Sequence, residues 1–209
     1  MKTRIFLCLL ACSFLYACEQ APISLSEDNL EVTGRSVTGY DEATNTISFN
    51  AQDSDGLAIV EGVSFETGTL DLEIKGENVQ GKSFVGIAFN VQNDSTYEAV
   101  YFRPFNFLAE EQIRRDHSMQ YIFHPKNTWF YLRENFEGQY EAEFPRQPNP
   151  DDWFRVQVKV DESSVQVWDP VSETELLAID RLDQTKSDKI ALWMGFGSKG
   201  QYRNLKVLN

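Results

Sequence analysis

Cysteine is almost missing from these 209 residues: the three that occur, Cys8, Cys12 and Cys18, all fall within the first eighteen positions. Beyond them a disulfide, a thiol nucleophile and a cysteine-based zinc site are excluded by arithmetic. Histidine is nearly as scarce, with His117 and His124 alone, so a multi-histidine metal centre is not available. After position 17 no apolar run approaches the roughly 20 residues that a spanning helix needs. Positive charge is also short: 19 Lys and Arg face 32 Asp and Glu, a net charge of −13. Such a surface repels nucleic acid and anionic head groups, and nucleic acid is not an expected partner. No Gly-x-Ser-x-Gly elbow occurs, and no internal repeat suggests a propeller. What remains is 42% hydrophobic, enough for an unstapled core at this length.

The start is a different kind of sequence. Lys2 and Arg4 precede an uncharged run from Ile5 to Ala17, and the polar pair Glu19-Gln20 follows Cys18. A basic n-region, a short apolar h-region and a small residue before the cut form an export signal. Leu15-Tyr16-Ala17-Cys18 resembles the lipobox of bacterial lipoproteins, which implies cleavage before Cys18 and lipidation of that residue. An ordinary secretory signal with a chance cysteine is the plain alternative. Leu9-Leu10-Ala11-Cys12 is a rival box, with an h-region of only about seven residues. The expected organisation is a signal peptide over 1–17, a lipidated cysteine and tether over 18–43, and one domain over 44–209. The expected location is the bacterial cell envelope, periplasmic or surface-exposed, with membrane contact through the lipid anchor alone.

After Thr44 the apolar period is two almost throughout. Leu70, Leu72 and Ile74 alternate with Asp71, Glu73 and Lys75; Phe154, Val156, Val158 and Val160 alternate with polar neighbours; Ile190, Leu192, Met194 and Phe196 form a third set. Each is the signature of a half-buried strand. Turn-forming clusters such as Asp53-Ser54-Asp55-Gly56, Asn93-Asp94-Ser95 and Asp161-Glu162-Ser163-Ser164 separate the runs. About eleven to thirteen strands are expected, with a helical turn or two over Leu108 to Arg115. The fold class is all-β, a two-sheet antiparallel jelly-roll sandwich.

Four stretches carry a resemblance: Phe65 to Glu73, Gly86 to Asn90 with Tyr97 to Pro104, Trp153 to Trp168, and Ile190 to Val207. They are similar to the strand pairs of concanavalin A-like (laminin-G-like) sandwiches over roughly residues 45–208. The resemblance implies that fold. It does not select among the superfamily's lectins, carbohydrate-binding modules, glucanases, lyases and 3-keto-disaccharide hydrolase domains.

Alternation also assigns faces. With Val100 and Phe102 in the core, Tyr101 and Arg103 point away from it. Read as a strand with Phe130 and Leu132 in the core, the next run turns Trp129, Tyr131 and Arg133 outward. With Tyr140, Ala142 and Phe144 inside, Glu141 and Glu143 face out. Alternation does not decide which face Gln120 takes. Aromatic rings beside guanidinium and carboxylate groups suit a sugar: rings pack on the C–H face, planar donors bind vicinal hydroxyls or a carboxylate. The expected ligand-binding set is Tyr101, Arg103, Gln120, Trp129, Tyr131, Arg133 and Glu141, with carbohydrate as the partner. The opposing reading is that loops cover this face and the residues form a second buried cluster. In the binding reading Arg103 and Arg133 matter most, and either can become alanine with little change in stability. The catalytic alternative is a glycoside hydrolase drawing on Glu141, Asp116 or His117, without a motif that pairs two carboxyls. A third reading is a non-catalytic lipoprotein that meets a protein partner. No cofactor is expected and no metal ligands are assigned. Asp53, Asp55 and the Asn93-Asp94 turn are the oxygen-rich places where a structural calcium could sit.

Overall fold

The computed structural model describes residues 20–208, so Cys18 and the expected signal peptide lie outside the described residues. The strands are β1 (Leu30–Thr33), β2 (Val37–Asp41), β3 (Thr46–Phe49), β4 (Gly56–Val60), β5 (Gly68–Lys75), β6 (Val85–Asn93) and β7 (Thr96–Phe102). They continue with β8 (Met119–His124), β9 (Glu141–Ala142), β10 (Phe154–Val160), β11 (Ser164–Asp169), β12 (Thr174–Asp180), β13 (Ala191–Met194) and β14 (Gly200–Leu208). Two short helices interrupt them, α1 (Gln112–Asp116) before β8 and α2 (Trp129–Asn135) after it. One sheet runs β1-β4-β13-β6-β7-β8-β9 and the other β12-β11-β10-β5-β14-β3-β2, seven strands each. Every pairing between strands is antiparallel. The architecture is the expected two-sheet jelly-roll sandwich.

Alternation works as strand geometry requires. Phe154, Val156, Val158 and Val160 of β10 are buried between the sheets, beside Leu70, Leu72 and Ile74 of β5. On the outer face of that second sheet, Arg155 and Gln157 bond to Asp71, and Arg203 lies 4.2 Å from the Trp153 ring centroid. The first sheet contributes Val85, Ile87 and Phe89 of β6, Val100 and Phe102 of β7, and Leu192 and Met194 of β13 to the same core.

The first sheet is unusual in burying both faces. Leu57, Ala88, Tyr97, Ala99, Tyr101, Ile122, Ala191 and Trp193 form a second apolar cluster on its outer side. The chain between β7 and β8, and between β8 and β9, folds back over this side. Leu132 of α2 closes the cluster at 1% exposure; burying such a side chain contributes roughly 2 kcal/mol.

Two expectations are corrected. Residues 129–133 form helix α2, not a strand. Thr128 caps it, its Oγ1 accepting the Tyr131 N–H at 3.3 Å. Trp129, Leu132 and Phe136 carry a helical spacing that coexists with the apparent alternation, and Phe130 is exposed where the strand reading buried it. The expected tether is, in its described part, largely built into the sandwich. Leu25 is fully buried, Ile23 N–H bonds to Leu205 O at 2.8 Å, and β1 and β2 pair with β4 and β3. They are edge or near-edge strands with one wet face, which makes their sequence polar and weakly patterned.

A buried charge network closes one end of the core. Arg181 pairs with Glu98, whose side chain is fully buried, while Tyr121 Oη and Asn90 Nδ2 donate to the same carboxylate. Replacing Glu98 with alanine strands the guanidinium and two further donors. We predict a loss of about 3–5 kcal/mol in urea unfolding; a loss under about 1 kcal/mol would contradict it.

Candidate functional site

A pocket of about 690 Å³ opens on the outer face of the first sheet. Its inner wall is Tyr101, Trp193, Ile122, Phe84 and Phe105; Arg103, Arg114, Arg133, His117 and Asn106 line one side, and Trp129, Phe196, Asp55 and His124 also face it. The Tyr101 and Trp193 rings lie 4.8 Å apart. Trp129 and Phe196 line the pocket and leave 46% and 56% of their surface open.

Glu141 organises the polar side. Arg133 reaches its carboxylate with a two-pronged contact, Nε to Oε2 at 3.0 Å and Nη2 to Oε1, and Arg103 Nη1 meets Oε1 at 3.2 Å. Arg103 is nearly buried and fills its other donors internally. Its Nη1 donates to His117 O at 2.9 Å, and its Nη2 to Tyr101 Oη at 2.6 Å and to Gln120 Oε1. Tyr101 Oη in turn donates to Gln120 Oε1 at 2.9 Å, and Gln120 Nε2 reaches Trp129 O at 3.3 Å. Planar groups so fully tied lose little freedom when a ligand arrives.

Charge follows from burial. Burial lifts the Tyr101 hydroxyl to about 12 against the opposing pull of Arg103, so it stays a neutral donor. Burial also lowers His117 and His124 from 6.5, the carboxylate of Glu141 only partly opposing this at His117, and both are neutral at pH 7. The positive charge of the pocket is therefore guanidinium alone. His117 Nδ1 lies 3.0 Å from Glu141 Oε2 but without the alignment of a hydrogen bond.

The structure brings Tyr101, Arg103, Gln120, Trp129, Arg133 and Glu141 into one network, and puts Gln120 opposite Tyr101 on the outer face. Tyr131 stands apart: it is outside the pocket, and its ring packs near Phe136 at 6.3 Å. Asp116 is exposed, holds Gln112 Nε2 at 2.7 Å, and does not line the pocket. Both oxygens of Glu141 are occupied by arginine. The reading that loops cover this face holds for Tyr101, Arg103 and Gln120, which are buried, while the pocket keeps a solvent opening above them.

Sequence reasoning missed Phe84, Phe105, Arg114, Asp55 and Phe196 as lining residues, and Arg35 behind them. Arg35 Nη2 donates to Ser54 O at 2.8 Å and Gly195 O at 2.6 Å, tying the loop of Asp55 to that of Phe196. Gly56 must be glycine there, because a Cβ would collide with Arg35 Cγ. Phe84 and Phe196 had a usable signal, as apolar residues flanking β6 and β13; Arg35 had none. Among the described residues no group of three or more His, Cys, Asp or Glu could hold a metal ion. Asn93 Oδ1 closes its own turn with Ser95, and Asp55 Oδ1 accepts the Phe196 N–H at 3.1 Å.

No protein-family model and no curated protein sequence matches the chain. Solved structures do match its fold. The carbohydrate-binding module CBM66 from Bacillus subtilis superposes with a TM-score of 0.56 at 12% identity, over 86% of this chain and 98% of that one. The exoplasmic/lumenal domain of VIP36, bound to Ca²⁺ and Man3GlcNAc, gives 0.57 at 10% identity, over 90% and 89%. A Bacillus subtilis protein of unknown function with a galectin-like fold gives 0.55 at 12%, over 87% and 89%. The chain thus shares the β-sandwich fold of these lectin-like structures.

The network separates the two arginines energetically. Arg103→Ala leaves Glu141, Tyr101 and Gln120 short of a donor in a dry site, and costs about 3–5 kcal/mol. Arg133, at 33% side-chain exposure, costs about 1 kcal/mol or less. Paired urea titrations check this; equal losses would refute the hub. Arg103 is therefore not the stability-neutral position that strand alternation suggested.

Proposed function

We propose that this pocket binds a carbohydrate and that the protein is a non-catalytic binding module. The observation that carries the reading is the convergence of two half-exposed aromatic residues, Trp129 and Phe196, with internally fixed guanidinium groups in one concavity. Sugars present both surfaces such a site matches: an apolar C–H face and a fan of hydroxyls. The fold relatives include a carbohydrate-binding module and a sugar-bound lectin domain, which supports the same reading. Concavity favours a small ligand over a protein partner, which would meet a flat apolar patch.

Glycoside hydrolysis is the weaker reading on chemical grounds. It needs two carboxyl groups flanking the scissile bond, and among the described residues Asp55 is the one carboxylate lining the pocket. Glu141 lies behind the arginines.

A glycan array probed with residues from Glu19 onward tests the reading. Binding is expected, without release of reducing ends. Trp129→Ala should weaken it about tenfold or more while the melting temperature holds, because the ring is half exposed. Unchanged binding in that variant would remove Trp129 from the site, and no binding to any glycan would end the proposal.

The same proposal places the module at a bacterial cell envelope, held by lipid on Cys18; its support is the lipobox-like sequence. Labelled palmitate should enter the full-length chain and be lost in Cys18→Ser. Label retained in that variant would move the anchor to Cys12 or to another residue.

A further inference from the structure

The polar side of the pocket is one negative charge short. Elsewhere five guanidiniums pair with carboxylates of their own, Arg181 with Glu98, Arg155 with Asp71, Arg146 with Asp169, Arg115 with Glu143 and Arg203 with Glu73, while Arg35 is held by backbone carbonyls. Arg103 and Arg133 instead share the single carboxylate of Glu141, which is 3% exposed. Nearby acids do not fill the gap. Glu143 is engaged by Arg115 at 3.1 Å, and Asp116 is turned to solvent. The histidine beside them is neutral at pH 7. A partly buried guanidinium without its counter-charge is costly to keep.

The excess has an outlet. Among the described residues Arg133 Nη1 has no hydrogen-bond partner, and the guanidinium lies 5.2 Å from the Trp129 ring centroid. Arg114, on the same side of the pocket, holds Phe105 O with Nη2 at 3.1 Å, pairs loosely through Nη1 with the exposed Glu111 at 3.6 Å, and leaves a buried Nε unpartnered. Both guanidiniums and the Trp129 ring line the same pocket. Asp55 approaches from the β4 side, where it suits hydroxyls.

We propose that the ligand is an acidic sugar, whose carboxylate or sulfate seats against Arg133 and Arg114 while its ring lies on Trp129. This rests on the carbohydrate reading above and narrows it. The chain's overall charge of −13 opposes an anionic ligand at long range. Salt screens that repulsion beyond about 8 Å at physiological ionic strength, whereas contact pairing acts well inside it. Short acidic oligosaccharides are thus better probes than long polyanions.

The test uses tetramers of glucuronate and of galacturonate, each beside its carboxyl-reduced counterpart, and a sulfated galactan tetramer beside its desulfated form. Titration calorimetry on the protein from Glu19 onward should show an acidic member binding at least about tenfold tighter than its neutral twin. The uronate and sulfate pairs distinguish the two anions. In Arg133→Gln the ratio of acidic to neutral affinity should fall to about one, whatever the change in absolute affinity; circular dichroism confirms that this one-third-exposed position leaves the fold intact. Equal or tighter binding of the neutral twins overturns the acidic-sugar inference and leaves the carbohydrate reading standing. Silence towards all six, together with an empty glycan array, overturns both.

Discussion

The bond between Glu141 and two arginines is the constraint on which the pocket depends. One carboxylate from the two-residue strand β9 holds Arg103, at the end of β7, and Arg133, on α2. Those groups come from segments with little regular structure of their own. Without the carboxylate the two guanidiniums would repel each other. With it, they bring Tyr101, Gln120 and the backbone of Trp129 into a single set of hydrogen bonds. On the proposed reading a ligand meets donors already in place, so little ordering is required when it binds.

The rest of the sheet makes this polar hub affordable. A sheet with one wet face would leave Tyr101 and Gln120 in water, where their bonds to Arg103 would be weak. Here the insertions between β7 and β9 bring Leu132 and Phe136 against Ala99, Ile122 and Trp193. The second apolar layer lowers the local dielectric and strengthens each hydrogen bond beneath it. The same low dielectric penalises anything unpaired, which is why the shared carboxylate has consequences for ligand charge. On the β4 side the rim is set differently, by Arg35 donating to backbone carbonyls.

Fold class was legible because strand burial leaves a period-two trace, clear in Phe154 to Val160 and in Leu70 to Ile74. It was least legible at the edges: Leu30 to Asp41 bury few side chains, so they leave only a faint period-two trace. Much of the polar network could be named from alternation, since Tyr101 and Arg103 must oppose Val100 and Phe102. Helix α2 was misread because seven residues offer only about two turns of helical period and equally good alternation, and only the Thr128 cap distinguishes them. Glu141 was placed on the correct face, but its role as a shared counter-charge depends on three segments meeting. No local pattern records that.

The central claim is that a sugar lies in the pocket on the outer face of the first sheet. A crystal structure with the tightest glycan from the array tests it most directly. The account predicts a sugar ring over Trp129, with oxygen atoms at hydrogen-bond distance from Arg133 and the Arg103–Glu141 pair unbroken. A glycan on the outer face of the second sheet, or on the loops away from α2, would contradict it.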